Sequence, residues 1–315
     1  MILVTGGLGF IGAYTARSLI DLGSEVVVTQ YRVARNPAII ASEVGKRLFV
    51  EQLDATDRDA FLALGKKYAF DGIVHLAGTG STPHDPFEDV EANNAGLLNA
   101  LLAARDWGAR VSVASSVAMY SNLTAVPLRE DTQITVTAGH PIEAYKKSGE
   151  ITTKYVAARA NLEAISLRIS GIYGPLYRSM TNLPSRMVHA AVKKTALDTA
   201  PPRGPLYEAD GSDLCDVRDC GRAIALLQLA PTLNYDVYNV GAGWSTTAGA
   251  IRSAVQAVVP DFEVGLEAGH NPRGPGIANY LDLSRVNSDT GYAPAYSLDE
   301  SIANYVEWLQ AGNPE

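Results

Sequence analysis

The stretch that decides the fold is Thr5-Gly6-Gly7-Leu8-Gly9-Phe10-Ile11-Gly12. It follows an apolar run at residues 2–5 and precedes a helical pattern over residues 11–22, which predicts a strand, a glycine turn and a helix. Gly6 permits a tight turn, Gly9 lets a ligand approach the backbone, and Gly12 lets the helix pack closely on the strand. Because a helix N-terminus offers N–H groups to phosphate, the stretch predicts a dinucleotide-binding unit.

Outward from this turn, β-rich runs alternate with helical patterns. The predicted strands are residues 2–5, 25–29, 48–51, 72–76, 110–114 and 164–169, and the predicted helices are 11–22, 58–67, 87–107 and 142–160. The strands are almost uninterrupted runs of Val, Ile and Leu, which is typical of a parallel sheet covered on both faces. We therefore predict an α/β fold, a Rossmann-type doubly wound parallel sheet.

The alternation breaks after residue 175. Residues 184–211 and 267–278 read as irregular, with clustered Pro and Gly, and an amphipathic helix is predicted at 298–310. We expect an NAD(P)-binding domain over residues 1–175, to which 212–242 return. Residues 176–211 and 243–315 then form a smaller C-terminal substrate-binding domain.

The composition narrows the function further. Of the 315 residues, 47% are apolar and 19% are charged, and the net charge of -8 argues against binding to nucleic acid. The two cysteines, Cys215 and Cys220, are too few for a disulfide framework, and we expect reduced thiols and no metal site. Apolar runs are too short to span a bilayer, and Met1 leads into a strand rather than a signal peptide. We expect a cytoplasmic protein that binds a small molecule and neither nucleic acid nor membrane.

Beside the glycine turn, spaced GxxGxxG, six further segments occur in a fixed order along nearly the whole chain. They are His75-Leu76-Ala77-Gly78, Asn93-Asn94-Ala95-Gly96-Leu97-Leu98-Asn99, Ser115-Ser116-Val117-Ala118-Met119-Tyr120, Leu167-Arg168-Ile169-Ser170-Gly171-Ile172-Tyr173-Gly174-Pro175, Asp216-Val217-Arg218-Asp219 and Tyr280-Leu281-Asp282-Leu283-Ser284-Arg285. Together they resemble the extended short-chain dehydrogenase/reductase family, the NAD-dependent epimerases and dehydratases. The resemblance implies an NAD(P)-dependent oxidoreductase, epimerase or dehydratase acting on a secondary alcohol or ketone of a sugar-like or small carbonyl substrate.

The resemblance also implies a set of cofactor-binding positions. They are Gly6, Gly9, Phe10, Ile11, Gly12, Gln30, Arg32, Asp54, Ala55, Leu76, Ala77, Gly78, Asn93, Ala114, Tyr145 and Ile172. Gln30 stands where the family most often has an Asp that holds the adenine ribose, so no carboxylate repels a 2′-phosphate there. Arg32 and Arg35 could pair with such a phosphate, whereas Gln30 could still bind a ribose hydroxyl. NAD and NADP both stay open, with a slight preference for NADP.

The family's reaction centre uses Ser, Tyr and a Lys four residues after the Tyr. The resemblance places the Ser at Ser116, which would orient the substrate oxygen, and the Tyr at Tyr145, which would act as acid/base. The fourth residue after Tyr145 is Gly149. Because i+1 and i+2 turn away from position i on a helix, neither Lys146 nor Lys147 simply fills the vacancy.

Three explanations stay open for the missing lysine. Redox chemistry runs slowly or through another proton relay, for which His84 is a candidate; the cofactor supports an altered or non-redox reaction; or the protein is a redox-silent dinucleotide sensor. A slip of the helix that presents Lys147 has no support in the sequence. Replacing Gly149 by Lys tests the first explanation against the third.

The substrate side of the sequence departs from nucleotide-sugar enzymes. Ser212 stands where such family members carry a diphosphate-binding Arg, which makes a nucleotide-sugar substrate doubtful. The candidate substrate-binding residues are Ser116, Thr79, His84, Tyr173, Arg178 and Arg273.

Family dimers pair two helices into a four-helix bundle, and the resemblance maps these helices to residues 93–107 and 142–160. We therefore expect a homodimer. Leu97, Leu98, Leu101 and Leu102 recur at helical spacing, and for two of the four an intramolecular core position is at least as good an explanation.

Overall fold

A computed structural model describes residues 1–78, 85–121, 123–200, 204–274 and 276–313. Its strands are β1 (Ile2–Thr5), β2 (Val26–Gln30), β3 (Leu48–Gln52), β4 (Gly72–His75), β5 (Arg110–Ser116), β6 (Ala164–Ile169), β7 (Gly171–Tyr173), β8 (Gly211–Asp216), β9 (Val237–Val240) and β10 (Ser245–Thr247). Its helices are α1 (Phe10–Asp21), α2 (Ala38–Ala41), α3 (Arg58–Lys67), α4 (Pro86–Trp107), α5 (Pro141–Ala160), α6 (Leu183–Lys193), α7 (Val217–Leu229), α8 (Ala248–Val258), α9 (Ser284–Thr290) and α10 (Leu298–Gln310), with a 3₁₀ turn at Val117–Tyr120.

The main sheet has seven parallel strands in the order β3-β2-β1-β4-β5-β6-β9. The strand order reverses between β1 and β4, and in such sheets ligands bind at the carboxyl ends of the strands beside this reversal. The glycine turn leaves the carboxyl end of β1. The doubly wound parallel sheet predicted from the sequence is therefore confirmed, and it positions the turn at the expected crevice.

Two helical layers cover the sheet. Helices α1 and α7 pack against each other on one side, and α3, α4 and α5 pack side by side on the other. The strands between them are fully buried, as Leu3, Val27 and Val111 illustrate with no exposed surface. This double burial accounts for the uninterrupted apolar runs in the sequence. None of the described helices is long and apolar enough to cross a membrane.

A small three-stranded sheet, β10-β8-β7, links the main sheet to a C-terminal lobe. Strands β7 and β8 pair in parallel, whereas β10 runs antiparallel to β8. The lobe core joins α6, α8 and α10, and its centre includes Met187, Ile251 and Tyr305. After β8 the chain returns through α7 and β9 to the large unit before it enters the lobe again at β10.

Helix α6 corrects the expectation of an irregular chain over residues 184–211. Asn182 caps the helix by accepting from the Ser185 N–H at 2.9 Å, and Pro184 lies in the first turn. Proline is compatible with that position because the first helical N–H groups have no partner within the helix. Pro184 therefore marks the start of a helix here rather than a loop.

Candidate functional site

The glycine turn leaves little room for side chains, as Gly6 and Gly12 illustrate. Gly6 adopts φ +67°, and a Cβ there would lie 3.1 Å from the Ala77 nitrogen. A Cβ on Gly12 would lie only 2.3 Å from the Gly6 carbonyl oxygen. The positive φ of Gly6 explains the tight turn. The short distance at Gly12 shows that the start of α1 packs directly against the turn.

Helix α1 begins at this turn with its first N–H groups available to a ligand. Gly9 occupies the N-cap without a side-chain hydrogen bond, and the first turn of α1 contains no acidic residue. The neighbouring backbone is fixed from both sides, because Gly6 donates to Thr29 Oγ1 at 3.1 Å and Ala77 donates to Thr5 Oγ1 at 3.2 Å. A helix N-terminus without a side-chain cap, behind a glycine-rich turn, fits the pyrophosphate of a dinucleotide.

The ends of β2 and β3 carry the residues expected near adenine. The Arg32 guanidinium lies 4.7 Å from the centre of the Tyr31 ring. Asp54 accepts from the backbone and hydroxyl of Thr56 at 3.0 and 2.8 Å. Burial opposes ionisation of Asp54, but these hydrogen bonds outweigh it and lower its pKa below the ordinary value. Gln30, partly buried, ends β2 beside these groups.

A cleft of about 750 Å³ opens between the sheet and the C-terminal lobe. Its lining joins the start of α1, the end of β5, the start of α5 and the small sheet: Phe10, Ile11, Ser116, Ile142, Ser170, Gly171, Ile172, Tyr177, Thr181, Asn182, Leu183, Pro205, Leu206, Tyr207, Asp210, Gly211, Ser212, Leu214, Thr246, Ala248, Ile251 and Asn271. Four predicted site residues therefore meet there, namely Phe10, Ile11, Ser116 and Ile172. The only formal charge among these described lining residues is the Asp210 carboxylate.

A second, much smaller pocket lies between α4, α5 and the ends of β4 and β5. It is lined by His75, Ala77, Asn93, Asn94, Leu97, Val113, Ala114, Ser115, Tyr145, Lys146, Gly149, Glu150 and Ser166. Predicted cofactor positions Ala77, Asn93, Ala114 and Tyr145 come together in it, and a Cβ on Gly78 would lie 3.0 Å from Asn93 Oδ1. Ser116 and Tyr145 thus line different cavities. Burial, and then the charge of Asp89, raises the pKa of Tyr145, which is opposite to the activation of a catalytic phenol.

Lys146 lies on the side of α5 that faces the sheet. Its Nζ donates to the Ala114 carbonyl at 2.6 Å, at the carboxyl end of β5. Burial lowers the pKa of Lys146 to about 8. Burial, and then the charge of Lys146, lowers the pKa of neighbouring His75 to about 3. A lysine of α5 therefore does contact the sheet, but it is the residue directly after Tyr145 and not the fourth residue after it.

Lys147 forms a buried ion pair away from both pockets. Its Nζ lies 2.6 Å from Glu143 Oε1 and 2.8 Å from the Thr137 carbonyl, and both charged side chains are buried. The helix slip that would present Lys147 to the site is not realised.

Glu150 is the signal that the sequence interpretation missed. It accepts from Ser115 Oγ at 3.1 Å and pairs with the Arg168 guanidinium at 2.5 Å. A carboxylate that pairs with an arginine on β6 must face the sheet, and Lys146 lies four residues before it on the same face. The Leu167-Arg168 segment therefore gives the orientation of α5.

Three predicted substrate residues lie away from the cleft. Tyr173 is 2% exposed and packs in the lobe core, because alternation along β7 points its side chain inward. Arg178 and Arg273 are exposed and lie outside the lining of the cleft. Burial, and then the charge of Arg178, lowers the pKa of Arg35, so Arg178 lies on the β2 side.

Two further predicted substrate residues, Thr79 and His84, lie outside the described residues. Of the remaining cofactor positions, Leu76 donates to the Thr5 carbonyl at 3.3 Å, and the Ala55 carbonyl accepts from Asn99 Nδ2 at 2.9 Å. Both contacts fix the backbone at the carboxyl ends of the strands.

Comparison with known proteins adds four findings. The model of the NAD dependent epimerase/dehydratase family matches residues 2–241. A putative UDP-glucose 4-epimerase of Methanocaldococcus jannaschii is 24% identical, with 99% of each chain covered.

Among solved structures, UDP-glucose 4-epimerase of Thermotoga maritima superimposes with a TM-score of 0.82 at 20% identity, covering 99% of both chains. L-threonine dehydrogenase of Clostridium difficile superimposes with a TM-score of 0.78 at 23% identity, covering 99% of this chain and 98% of that one. At these identities the two structures show a shared fold.

Proposed function

Because the chain belongs to the NAD dependent epimerase/dehydratase family, we propose that it binds a nicotinamide dinucleotide and acts on a secondary alcohol or ketone in the adjoining cleft. The observation that carries the proposal is the uncapped start of α1, whose residues Phe10 and Ile11 also line the cleft with Ser116. A dinucleotide bound at the turn would therefore extend into the cleft that holds the substrate.

The division of roles follows from this placement. When bound, the nicotinamide ring supplies or accepts a hydride. Gly6, Gly9 and the first N–H groups of α1 would hold the pyrophosphate, and Ser116 would orient the substrate oxygen. Ser116 Oγ accepts from the Ala118 N–H at 3.1 Å, which leaves its own hydroxyl proton directed toward another acceptor. Tyr145 as acid/base remains a prediction from the resemblance.

We propose an uncharged substrate rather than a nucleoside diphosphate. A diphosphate carries two or more negative charges, and enclosing them is strongly favoured by matching cations. Among its described lining residues the cleft offers the Asp210 carboxylate, many hydroxyls and amides, and no Lys, Arg or His. Ser212, in the position of the family's arginine, is one of these hydroxyls. A small polyhydroxylated or carbonyl compound fits this lining.

Thermal-shift titrations test the substrate class. Uridine diphosphate should bind more weakly than about 1 mM, since the cleft offers it no cation. Ser212→Arg should strengthen that binding about tenfold, and Ser212→Gln, of similar length without charge, should not. Micromolar binding of uridine diphosphate to the unmodified protein would contradict the proposal.

The dinucleotide proposal is tested by denaturing the purified protein and identifying any released nucleotide by mass. Stripped protein is then titrated with NAD and NADP. Retained, stoichiometric NAD(P) supports an internal hydride cycle such as epimerisation or dehydration. Reversible binding supports a net reductase or dehydrogenase. Failure to bind either dinucleotide would exclude the proposed function.

A second candidate is a redox-silent dinucleotide sensor. The separation of Ser116 and Tyr145 into different cavities favours it, because no phenol of α5 then faces the oxygen that Ser116 would orient. Tight dinucleotide binding without reduction of NAD(P) by any secondary alcohol tested would support the sensor.

A further inference from the structure

One face of α5 carries Ile142, Lys146 and Glu150, spaced by four residues. This face meets the end of β5 residue by residue. Glu150 accepts from Ser115 Oγ, Lys146 donates to the Ala114 carbonyl, and Ile142 lines the large cleft with Ser116. The order of these contacts fixes which residues of α5 face the reaction side of the sheet.

From this face we infer that the chain retains the lysine of the family's Tyr-x-x-x-Lys pair, at Lys146, and that Ile142 replaces the tyrosine. The inference rests on the proposed dinucleotide site. Four residues before Lys146, the side chain beside Ser116 is a hydrocarbon. The departure from the family pattern is therefore at the proton donor, and Gly149 is not its cause.

The surroundings of Gly149 agree with this assignment. A Cβ there would lie 3.5 Å from Leu97 Cδ2 of α4, and Gly149 lines the small pocket rather than the large cleft. Tyr145 lines the same small pocket, and the centre of its ring lies 5.6 Å from Lys146 Nζ. Neither residue borders the cavity in which Ser116 would orient a substrate.

The chemical consequence concerns the proton. When an alcohol carbon loses a hydride, its O–H bond must also break and the proton must reach a base; in the reverse direction an acid must supply it. Ile142 has no atom that exchanges a proton. The position on α5 that faces Ser116 then supplies no proton donor or acceptor, and we expect the hydride step in the unmodified protein to be slow even with the dinucleotide bound.

The test introduces a phenol at this position. Ile142→Tyr should raise the rate of NAD(P) reduction by a panel of secondary alcohols about 100-fold, the lower range for positioned acid–base catalysis. Ile142→Phe, which has the same ring without the hydroxyl, should give no gain. Gly149→Lys should give none either, because a lysine already occupies the sheet side of α5.

A second readout is independent of turnover. In a phenolate absorbance titration, Ile142→Tyr should show one more ionisation than the unmodified protein, below the ordinary pKa of about 10, because the introduced hydroxyl lies one turn from Lys146. Adding Lys146→Met should return this ionisation to about 10 or above. Lys154→Met, which removes an exposed ion pair with Asp236, is the matched control.

The outcomes separate the two proposals. A gain from Gly149→Lys without one from Ile142→Tyr would overturn the inference and assign the proton to Tyr145. An introduced phenol that ionises normally and adds no rate would also overturn it. If the unmodified protein binds neither NAD nor NADP, the proposed function fails instead, whereas the phenol titration still reports on the orientation of α5.

Discussion

Gly12 has the least space of any residue in the glycine turn. Ala is the better helix former by about 1 kcal/mol, yet its Cβ would lie 2.3 Å from the Gly6 carbonyl. Because the Gly6 carbonyl belongs to the backbone and cannot move aside as a flexible side chain can, the clash outweighs the gain in helix propensity. Gly12→Ala should destabilise the protein by about 1–3 kcal/mol in urea unfolding and weaken dinucleotide binding at least about tenfold.

The control for this prediction is Gly265→Ala, because a Cβ at Gly265 meets no atom within 4 Å. Equal behaviour of the two variants in unfolding and in dinucleotide titration would mean that the turn has more room than the structure gives it.

Arg32 is the residue at which the choice of dinucleotide can be tested. Its guanidinium lies over the exposed Tyr31 ring and beside the predicted adenine position, where it could pair with a 2′-phosphate. Arg32→Ala should reduce NADP affinity about tenfold and leave NAD affinity nearly unchanged, as measured by fluorescence titration. Arg47→Ala serves as control, because Arg47 directly precedes β3 and so lies at the opposite end of the strands from Arg32. A parallel loss of both affinities would show that Arg32 does not select the phosphate.

At single residues, the sequence predicts positions that depend on local backbone better than positions that depend on helix rotation. The tight turn at Gly6 follows from spacing alone and agrees with its φ of +67°, whereas Gly12 packs against the turn rather than against the strand. The face of α5 does not follow from spacing, because several residues of that helix can each be aligned with a motif. Its rotation is fixed by the pairing of Glu150 with Arg168, which is distant in sequence.

Helix α5 also contains a buried ion pair that gives it a pH dependence. The Lys147 ammonium, then Ser121 and the Gly139 N–H, lower the pKa of Glu143 to about 2 from an ordinary 4.5. A carboxyl whose pKa is depressed by folding stabilises the protein above its unfolded pKa, and this stabilisation is lost as pH falls through the folded value. The urea concentration at the midpoint of unfolding should therefore decrease as the pH is lowered from about 4.5 to about 2.

Glu143→Gln should lower stability at neutral pH and remove this part of the pH dependence. Glu25→Gln, at an exposed site, should leave the profile of the unmodified protein in place. An unchanged acid profile in Glu143→Gln would mean that the Glu143–Lys147 pair contributes no net stability.

Among the elements, those with strong periodicity are predicted to the residue. Helices α3 and α10 have the predicted bounds, 58–67 and 298–310, because the helical spacing of their apolar residues defines where each helix begins and ends. Helix α6 is absent from the sequence prediction, because the clustered Pro and Gly of residues 184–211 indicate irregular chain, although Pro184 is compatible with a first helical turn. Short strands such as β7 and β10 have too few residues to show a period and depend on pairing with β8.

For the whole molecule, the outer face of α4 and α5 bears on the predicted homodimer. Leu97 and Leu101 are core residues, whereas Leu98 is 43% exposed, so the leucine row divides between core and surface. Ile151 and Tyr155 on α5 are 62% and 65% exposed. Apolar side chains at this exposure on two adjacent helices are typical of an interface.

If this face forms the dimer, Tyr155→Glu should halve the mass measured by light scattering, because it places a charge in an apolar contact. Val258→Glu, a partly exposed position on α8, should leave the mass unchanged. A monomeric unmodified protein would refute the predicted homodimer.

The late return of the chain to the main sheet has a consequence for synthesis on the ribosome. Strand β9 pairs with β6 only after β7, α6, β8 and α7 have been made, so β6 is the sheet edge of the nascent chain throughout that interval. An unpaired, apolar strand edge is a template for association with other chains. Until residue 240 leaves the exit tunnel, the growing polypeptide therefore presents this edge to other chains and to chaperones.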